Sequence, residues 1–322
     1  VARHHAAASL ACAAPEVLIP AIASATTRIR VGSGGIMLPH YSPVKVAECF
    51  SMLAGLFPDR VDLGIGRAAG TDARTAFALQ RDRRQQSPDD FVDQLDELLA
   101  LIEDRMPPEH PFAPLANLPG RPFAPVPYLL GSSPQSGLWA AQLGMPYVFA
   151  DFINPMGVAI ASQYRASFKP SHRLTSPRTF VAAWVICADT DDEARRQAAP
   201  HRMMIELLQR GRLIAVPTVE RALAYLRETN QPLAGMPMGR RTIVGSPDTV
   251  RAGLEQLVAA YQAEEALVVA ITHSHAVRRR SYELLAEAFD LTGSDWSDQT
   301  VGTPGTAVRA AAGAAVPAGA AT

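Results

Sequence analysis

Apolar positions along the chain switch repeatedly between short unbroken runs and stretches spaced three and four apart. The runs RIRVGSGGIML (28–38), RVDLGIGR (60–67), 127–130, MPYVFADF (145–152), RTFVAAWVICAD (178–189), RTIVG (241–245) and ALVVAI (266–271) predict strands. Runs that are apolar on both faces suit buried parallel positions. Between or after them, segments 42–57, 87–104, 156–168, 191–209, 247–262 and 277–289 predict helices. In the 42–57 segment Ser42 stands as N-cap and Pro43 as the first helical residue, with Val46, Phe50, Leu53 and Leu56 near one face. The 87–104 segment has Ser87 and Pro88 at its start, Asp89 and Asp90 against the dipole, and a stripe of Phe91, Leu95, Leu98, Leu99 and Ile102. A stretch rich in proline, 107–127, leads from it to the next strand.

Strand–helix alternation over this length predicts a parallel α/β fold, either a (β/α)8 barrel or a doubly wound sheet. Seven or so strands can be placed rather than eight, and the opening VARHH reads as the end of a strand. The expectation is therefore a chain that starts late in its fold. Residues 293–322 end in AAAGAAVPAGAAT, with small side chains and no stripe, and are expected to be a disordered tail after a domain at 1–292. The segment around 205–240 reads as a connection or a lid.

Composition narrows the classes of function. The 322 residues are 48% hydrophobic with a formal net charge of -1, which leaves no electrostatic footprint for nucleic acid. No apolar run approaches a membrane span and no export signal opens the chain. Cys12, Cys49 and Cys187 fit no metal-ligand spacing and suit buried thiols in a reducing compartment, so a cytoplasmic location is expected.

Candidate chemistry is sparse. GSGG at 32–35 lacks the third glycine of a dinucleotide fingerprint, and neither a P-loop nor a G-x-S-x-G elbow occurs. Gly32, Gly34 and Gly35 serve either a bulge or a ligand lying against bare backbone. His4 and His5 would point to opposite faces of a strand, one of them inward as a base near neutral pH. His273 and His275 in THSHA share a strand face, but further ligands are not evident, so a structural or rim role is expected. Arg67 follows DLGIG at a strand end, where it would meet an anion or pair with Asp72. Ser246 in VGSPDTV reads as a helix cap. In YLLGSSPQSGLWAAQLG (128–144), Ser132, Ser133 and Ser136 surround a helix start, where they serve as caps or as a seat for an anion.

Several linked stretches, in order, resemble the bacterial luciferase-like flavin monooxygenase family over residues 2 to about 290. They are the segment from ARHH through GSGGIMLPHYSPVKVAECF to DRVDLGIGRAAGTD, then VPYLLGSSPQSGLWAAQLGMPYVFADF, then VGSPDTVRAGLEQLVAAY with ALVVAITHSHAVRRRSYELLAEAF. The resemblance implies a (β/α)8 barrel of that type, here N-terminally truncated by its first strand and helix. It implies oxidation of a small organic substrate by O2 and reduced FMN, the flavin coming from a separate reductase, in a homodimer. It places Gly34–Gly35 at a non-prolyl cis peptide beneath the flavin ring. Arg67, Ser132, Ser133 and Ser136 fall at the flavin phosphate, and His4 at the catalytic base of an A-E-H-H motif whose Glu is Arg3 here. Two other readings accompany it: an F420-dependent hydride-transfer enzyme on the same barrel, and an inactive flavin-binding fragment.

Overall fold

The computed structural model describes residues 1, 5, 8–10, 12–67, 73–79, 90–234 and 240–291. Strands and helices alternate through most of it. α1 (Pro15–Ser24) precedes β1 (Val31–Met37), which is followed by α2 (Pro43–Leu56), β2 (Val61–Gly66), α3 (Ala73–Leu79) and α4 (Phe91–Ile102). Then come β3 (Val126–Gly131), α5 (Pro134–Gln142), β4 (Tyr147–Ala150), α6 (Gly157–Ala166), β5 (Thr179–Cys187), α7 (Asp191–Gln209) and α8 (Val219–Glu228). The described part closes with β6 (Ile243–Gly245), α9 (Pro247–Tyr261), β7 (Glu265–Val269) and α10 (His275–Ala288).

All strand pairs are parallel, and β1 to β5 lie in chain order across the sheet. Sequential placement of this kind follows from right-handed βα winding. The far side of β5 is shared: β7 pairs with its Phe180–Trp184 stretch and β6 with Val185–Cys187. Among the described residues the sheet is therefore open, with β6 and β7 at one end and β1 at the other, where Val1 bonds to Gly32 and Gly34 along the β1 edge. It is also curled, because Gly34 of β1, Gly64 of β2, Leu130 of β3, Val148 of β4, Phe180 of β5 and Leu267 of β7 line one 360 Å3 cavity. This is the barrel architecture expected from the sequence, with an open seam between the end strands of its described part.

The main core lies between the outer face of the sheet and the helices. α4 buries the whole stripe read from its sequence, Phe91, Leu95, Leu98, Leu99 and Ile102. Its N-cap is Asp90, while Ser87, Pro88 and Asp89 lie outside the described residues. α2 starts at Pro43 and buries Val46, Phe50 and Leu53, but Leu56 at its last turn is 63% exposed. Ser42 occupies the N-cap without a side-chain cap bond.

Three helices, α1, α3 and α8, are absent from the sequence reading. α8 falls within the segment read as a connection or lid. It packs Ala222 and Leu226 against Ala199, Met203 and Leu207 of α7, a second small core. The THSHA segment is not a strand either: β7 ends at Val269, Ser274 caps α10, and His275 is that helix's first residue. The segment expected to be a tail lies outside the described residues.

Candidate active site at the C-terminal ends of the strands

In parallel α/β barrels, residues at the C-terminal strand ends converge on one face and carry the chemistry. Here β3 ends at Gly131 and α5 begins three residues later, at Pro134. The glycine is required by packing. A Cβ on Gly131 would stand 2.1 Å from Ser136 Oγ and 3.2 Å from the Tyr147 hydroxyl. Ser133 caps α5 by accepting from the Ser136 N–H at 3.3 Å, and its own N–H donates to Ser136 Oγ at 3.3 Å, a reciprocal capping box. Ser136 Oγ also donates to the Ser133 carbonyl at 2.8 Å and meets the Tyr147 hydroxyl at 2.9 Å. Burial pushes the Tyr147 phenol up to about 12, against the pull of the Ser136 bond, so it keeps its proton at neutral pH.

The three serines thus divide their work. Ser136 is buried and committed inward, whereas Ser133 is exposed and Ser132 half-buried. Pro134 has no N–H, so Gln135 brings the first amide of the helix, which has no acceptor within α5. The Ser132 carbonyl accepts from Asn154 Nδ2 at 2.9 Å, which ties this turn to the loop after β4.

Arg67 immediately follows β2, and the register pairs the preceding Gly66 with Leu130 of β3. The arginine and the serine turn therefore stand at neighbouring strand ends. The exposed guanidinium lies over the Trp139 ring of α5, 5.4 Å from its centroid. One strand further, the Gly34–Gly35 peptide of β1 is cis, and the β1–β2 register shifts between Gly34 and Ile36. Gly34 and Gly64 present bare backbone to the central cavity, and a Cβ on Gly64 would strike the Ser33 carbonyl oxygen at 2.3 Å. His4 lies outside the described residues, as do Arg3 and Asp72.

THSHA is occupied by local bonds. A ring nitrogen of His273 is 3.0 Å from the Val216 carbonyl, and His275 Nδ1 is 2.8 Å from Arg278. Among the described residues no group of three metal-ligating side chains occurs. Ser246 stands at the N-cap of α9, but its hydroxyl bonds to Thr249 and its N–H is taken by Asp191 Oδ1 at 2.7 Å. That backbone bond, with those from Thr249 and Ser246 side chains, holds the Asp191 carboxyl below its ordinary range.

A polar network absent from the sequence reading follows β4. Asp151 is buried, and it accepts from Arg241 at 2.6 and 3.1 Å and from the Tyr261 hydroxyl at 2.7 Å. Desolvation and the Asp151 carboxylate raise the Tyr261 phenol far above its ordinary value. The signal was present in MPYVFADF: a lone carboxylate at the end of an apolar strand must find a partner if buried. Behind this network, Phe152 stacks on Trp184 at 4.8 Å, and Trp184 meets His201 edge-on at 4.3 Å.

Comparison with known proteins follows the same outline. The family model described as luciferase-like monooxygenase matches residues 1–264. An N-acetyl-S-alkylcysteine monooxygenase of Bacillus subtilis (strain 168) is 33% identical over 89% of this chain and 86% of its own length. The crystal structure of apo-MsnO8 superposes with a TM-score of 0.79 at 41% identity, covering 91% of this chain and 86% of that one. The oxygenating constituent of 3,6-diketocamphane monooxygenase from Pseudomonas putida, solved in complex with FMN, shares the fold at 21% identity. Its TM-score is 0.61, with coverage of 89% and 86%.

Proposed function

We propose that this chain, which belongs to the luciferase-like monooxygenase family, is an FMN-dependent monooxygenase that oxidises a small organic substrate with O2. Reduced FMN would come from a separate flavin reductase. One observation carries the reading: an exposed arginine, Arg67, stands at the end of β2 beside the capped N-terminus of α5 at the end of β3. Guanidinium, hydroxyls and a first-turn amide together form a donor set suited to a phosphate monoester. The FMN held by the Pseudomonas putida neighbour supports the choice of cofactor.

When bound, reduced flavin supplies the electrons with which O2 is activated and one oxygen atom transferred. The chain's own residues do the rest. Arg67, Ser132, Ser133 and the Gln135 amide would hold the phosphate, while Ser136 keeps the turn in shape through Ser133 and Tyr147. Gly34–Gly35 would back the ring with bare peptide. His4 is the candidate base that moves a proton during substrate oxidation.

An anaerobic titration of the chain with reduced FMN, with riboflavin as the control lacking phosphate, tests this reading. FMN is expected to bind and riboflavin far more weakly. Arg67→Ala should weaken FMN by about tenfold or more, from the loss of a charge-assisted contact, and leave riboflavin unchanged. Equal binding of the two flavins would remove the phosphate seat. A spectral response to reduced F420 with none to FMN would move the chain to hydride transfer. His4→Ala should slow substrate oxidation at unchanged flavin affinity, and unchanged turnover would take His4 out of the mechanism.

A further inference from the structure

Between α7 and β6 lies a second cavity, of 270 Å3, lined by His201, Arg202, Arg240, Arg241 and Thr242, with Leu233 on its apolar side. No carboxylate lines it among the described residues. Its cations are unequally occupied. Arg241 is committed to Asp151, and Arg195 at the rim pairs with Asp191 and Asp192. Arg202 donates to the Ala234 carbonyl at 3.1 Å and feels the charge of Glu206. Arg240 has no ion pair among the described residues. Buried polar atoms of the lining add to the imbalance: among the described residues His201 Nε2, Thr242 Oγ1 and the Nε atom of Arg202 have no hydrogen-bond partner. His201 is only 1% exposed, so an unmet ring nitrogen there costs free energy unless a ligand meets it.

We infer that this cleft is an anion subsite, which takes the carboxylate of an organic substrate with Arg240 as countercharge and His201 Nε2 and Thr242 Oγ1 as donors. Arg240 is the lining cation with neither a carboxylate nor a carbonyl contact among the described residues, which matches a monoanion rather than a phosphate dianion. The pocket and the candidate flavin seat are linked through one loop, that after β4, since Asn154 holds the Ser132 carbonyl and the Pro155 carbonyl accepts from Arg241 at 3.2 Å. A neutral His201 suits the role of donor through Nε2–H, and burial together with the Arg240 charge lowers its pKa to about 4. That the carboxylate belongs to the molecule being oxidised rests on the monooxygenase reading; the subsite itself does not.

Calorimetric titration of the full chain with hexanoate and with hexanamide, at pH 7 and low salt, tests the assignment. Hexanoate should bind and hexanamide at least tenfold more weakly. Arg240→Gln should weaken hexanoate tenfold or more, Arg240→Lys should restore most of it, and Thr242→Val should weaken it severalfold without changing charge. Thermal unfolding of each variant shows that it is folded, and recovery in Arg240→Lys separates loss of the charge from loss of the fold. Equal binding of acid and amide, or an unchanged Arg240→Gln, would overturn the subsite, and tighter binding of inorganic phosphate than of hexanoate would overturn the carboxylate. FMN titration of Arg240→Gln should match the unsubstituted chain. Hexanoate binding without FMN binding would sink the flavin reading alone, and the reverse would sink the subsite alone.

Discussion

Substituting Gly131 by alanine is the sharpest probe of how the strand end builds the helix start. The new Cβ would lie 2.1 Å from Ser136 Oγ and 2.5 Å from Ser136 Cβ, so the serine must leave its place. Its departure breaks the capping box, which is worth about 0.5–2 kcal/mol. It also strands the buried Tyr147 hydroxyl, for about 1–3 kcal/mol more. The expected loss is about 2–4 kcal/mol, or a fall of roughly 3–6 °C in melting temperature for a chain of this size. Urea unfolding of a double-mutant cycle checks the mechanism. Ser136→Gly removes both clashing atoms and the same two hydrogen bonds, so Gly131→Ala should add little in that background. A coupling of about 2 kcal/mol is expected, well beyond the roughly 0.5 kcal/mol scatter of independent sites. Additive losses would show that the contact between Gly131 and Ser136 is not the cause, and the account of the turn would fall.

Two further predictions concern stability. His201 is neutral in the fold at neutral pH, and its folded pKa of about 4 lies below the ordinary 6.5. The unfolded chain therefore binds a proton first, and stability is lost as pH falls from about 6.5 towards 4, by about 3 kcal/mol in total. His201→Gln should flatten that limb of the stability–pH curve, and an unchanged limb would place the acid sensitivity elsewhere. Gly157→Ala should destabilise by about 3 kcal/mol or more through overpacking, because its Cβ would stand 1.9 Å from a Phe149 ring carbon and 2.3 Å from the Tyr261 hydroxyl. Chemical denaturation showing less than about 1 kcal/mol would mean that α6 shifts freely against β4.

What the sequence disclosed depended on whether a signal was local. The strands and the helices α4 and α7 were legible because a buried stripe or an unbroken apolar run is written in consecutive residues. α1 was hidden by Pro15 and Pro20, one of them inside the helix, which read as breakers although the helix forms around them. α8 was hidden by its surroundings: VERALAYLRE carries a helical stripe, with Thr218 as its cap, but a long segment between strands invited the reading of a loop. THSHA failed for a related reason. Alternation suggested a strand face, but Ser274 caps a helix there and places the two histidines on opposite sides of a helix boundary.

The candidate site divides along the same line. The glycines, Arg67 and the serine turn could be named because each sits at a strand end with its neighbours in sequence. Asp151, Tyr261 and Arg241 come from three separate βα segments, and only the curled sheet brings them together. The same is true of His201 and Arg240, whose residue types in isolation suggest a core histidine and a surface arginine. Their meaning lies in a mismatch that no linear pattern records. Among the described residues, a buried ring nitrogen and a buried hydroxyl without hydrogen-bond partners share a cleft with a cation that has no ion pair, and the proposed carboxylate would meet all three. Local rules explain how most helices start and how the strands pair, whereas the polar imbalance of this cleft is what the proposed carboxylate would complete.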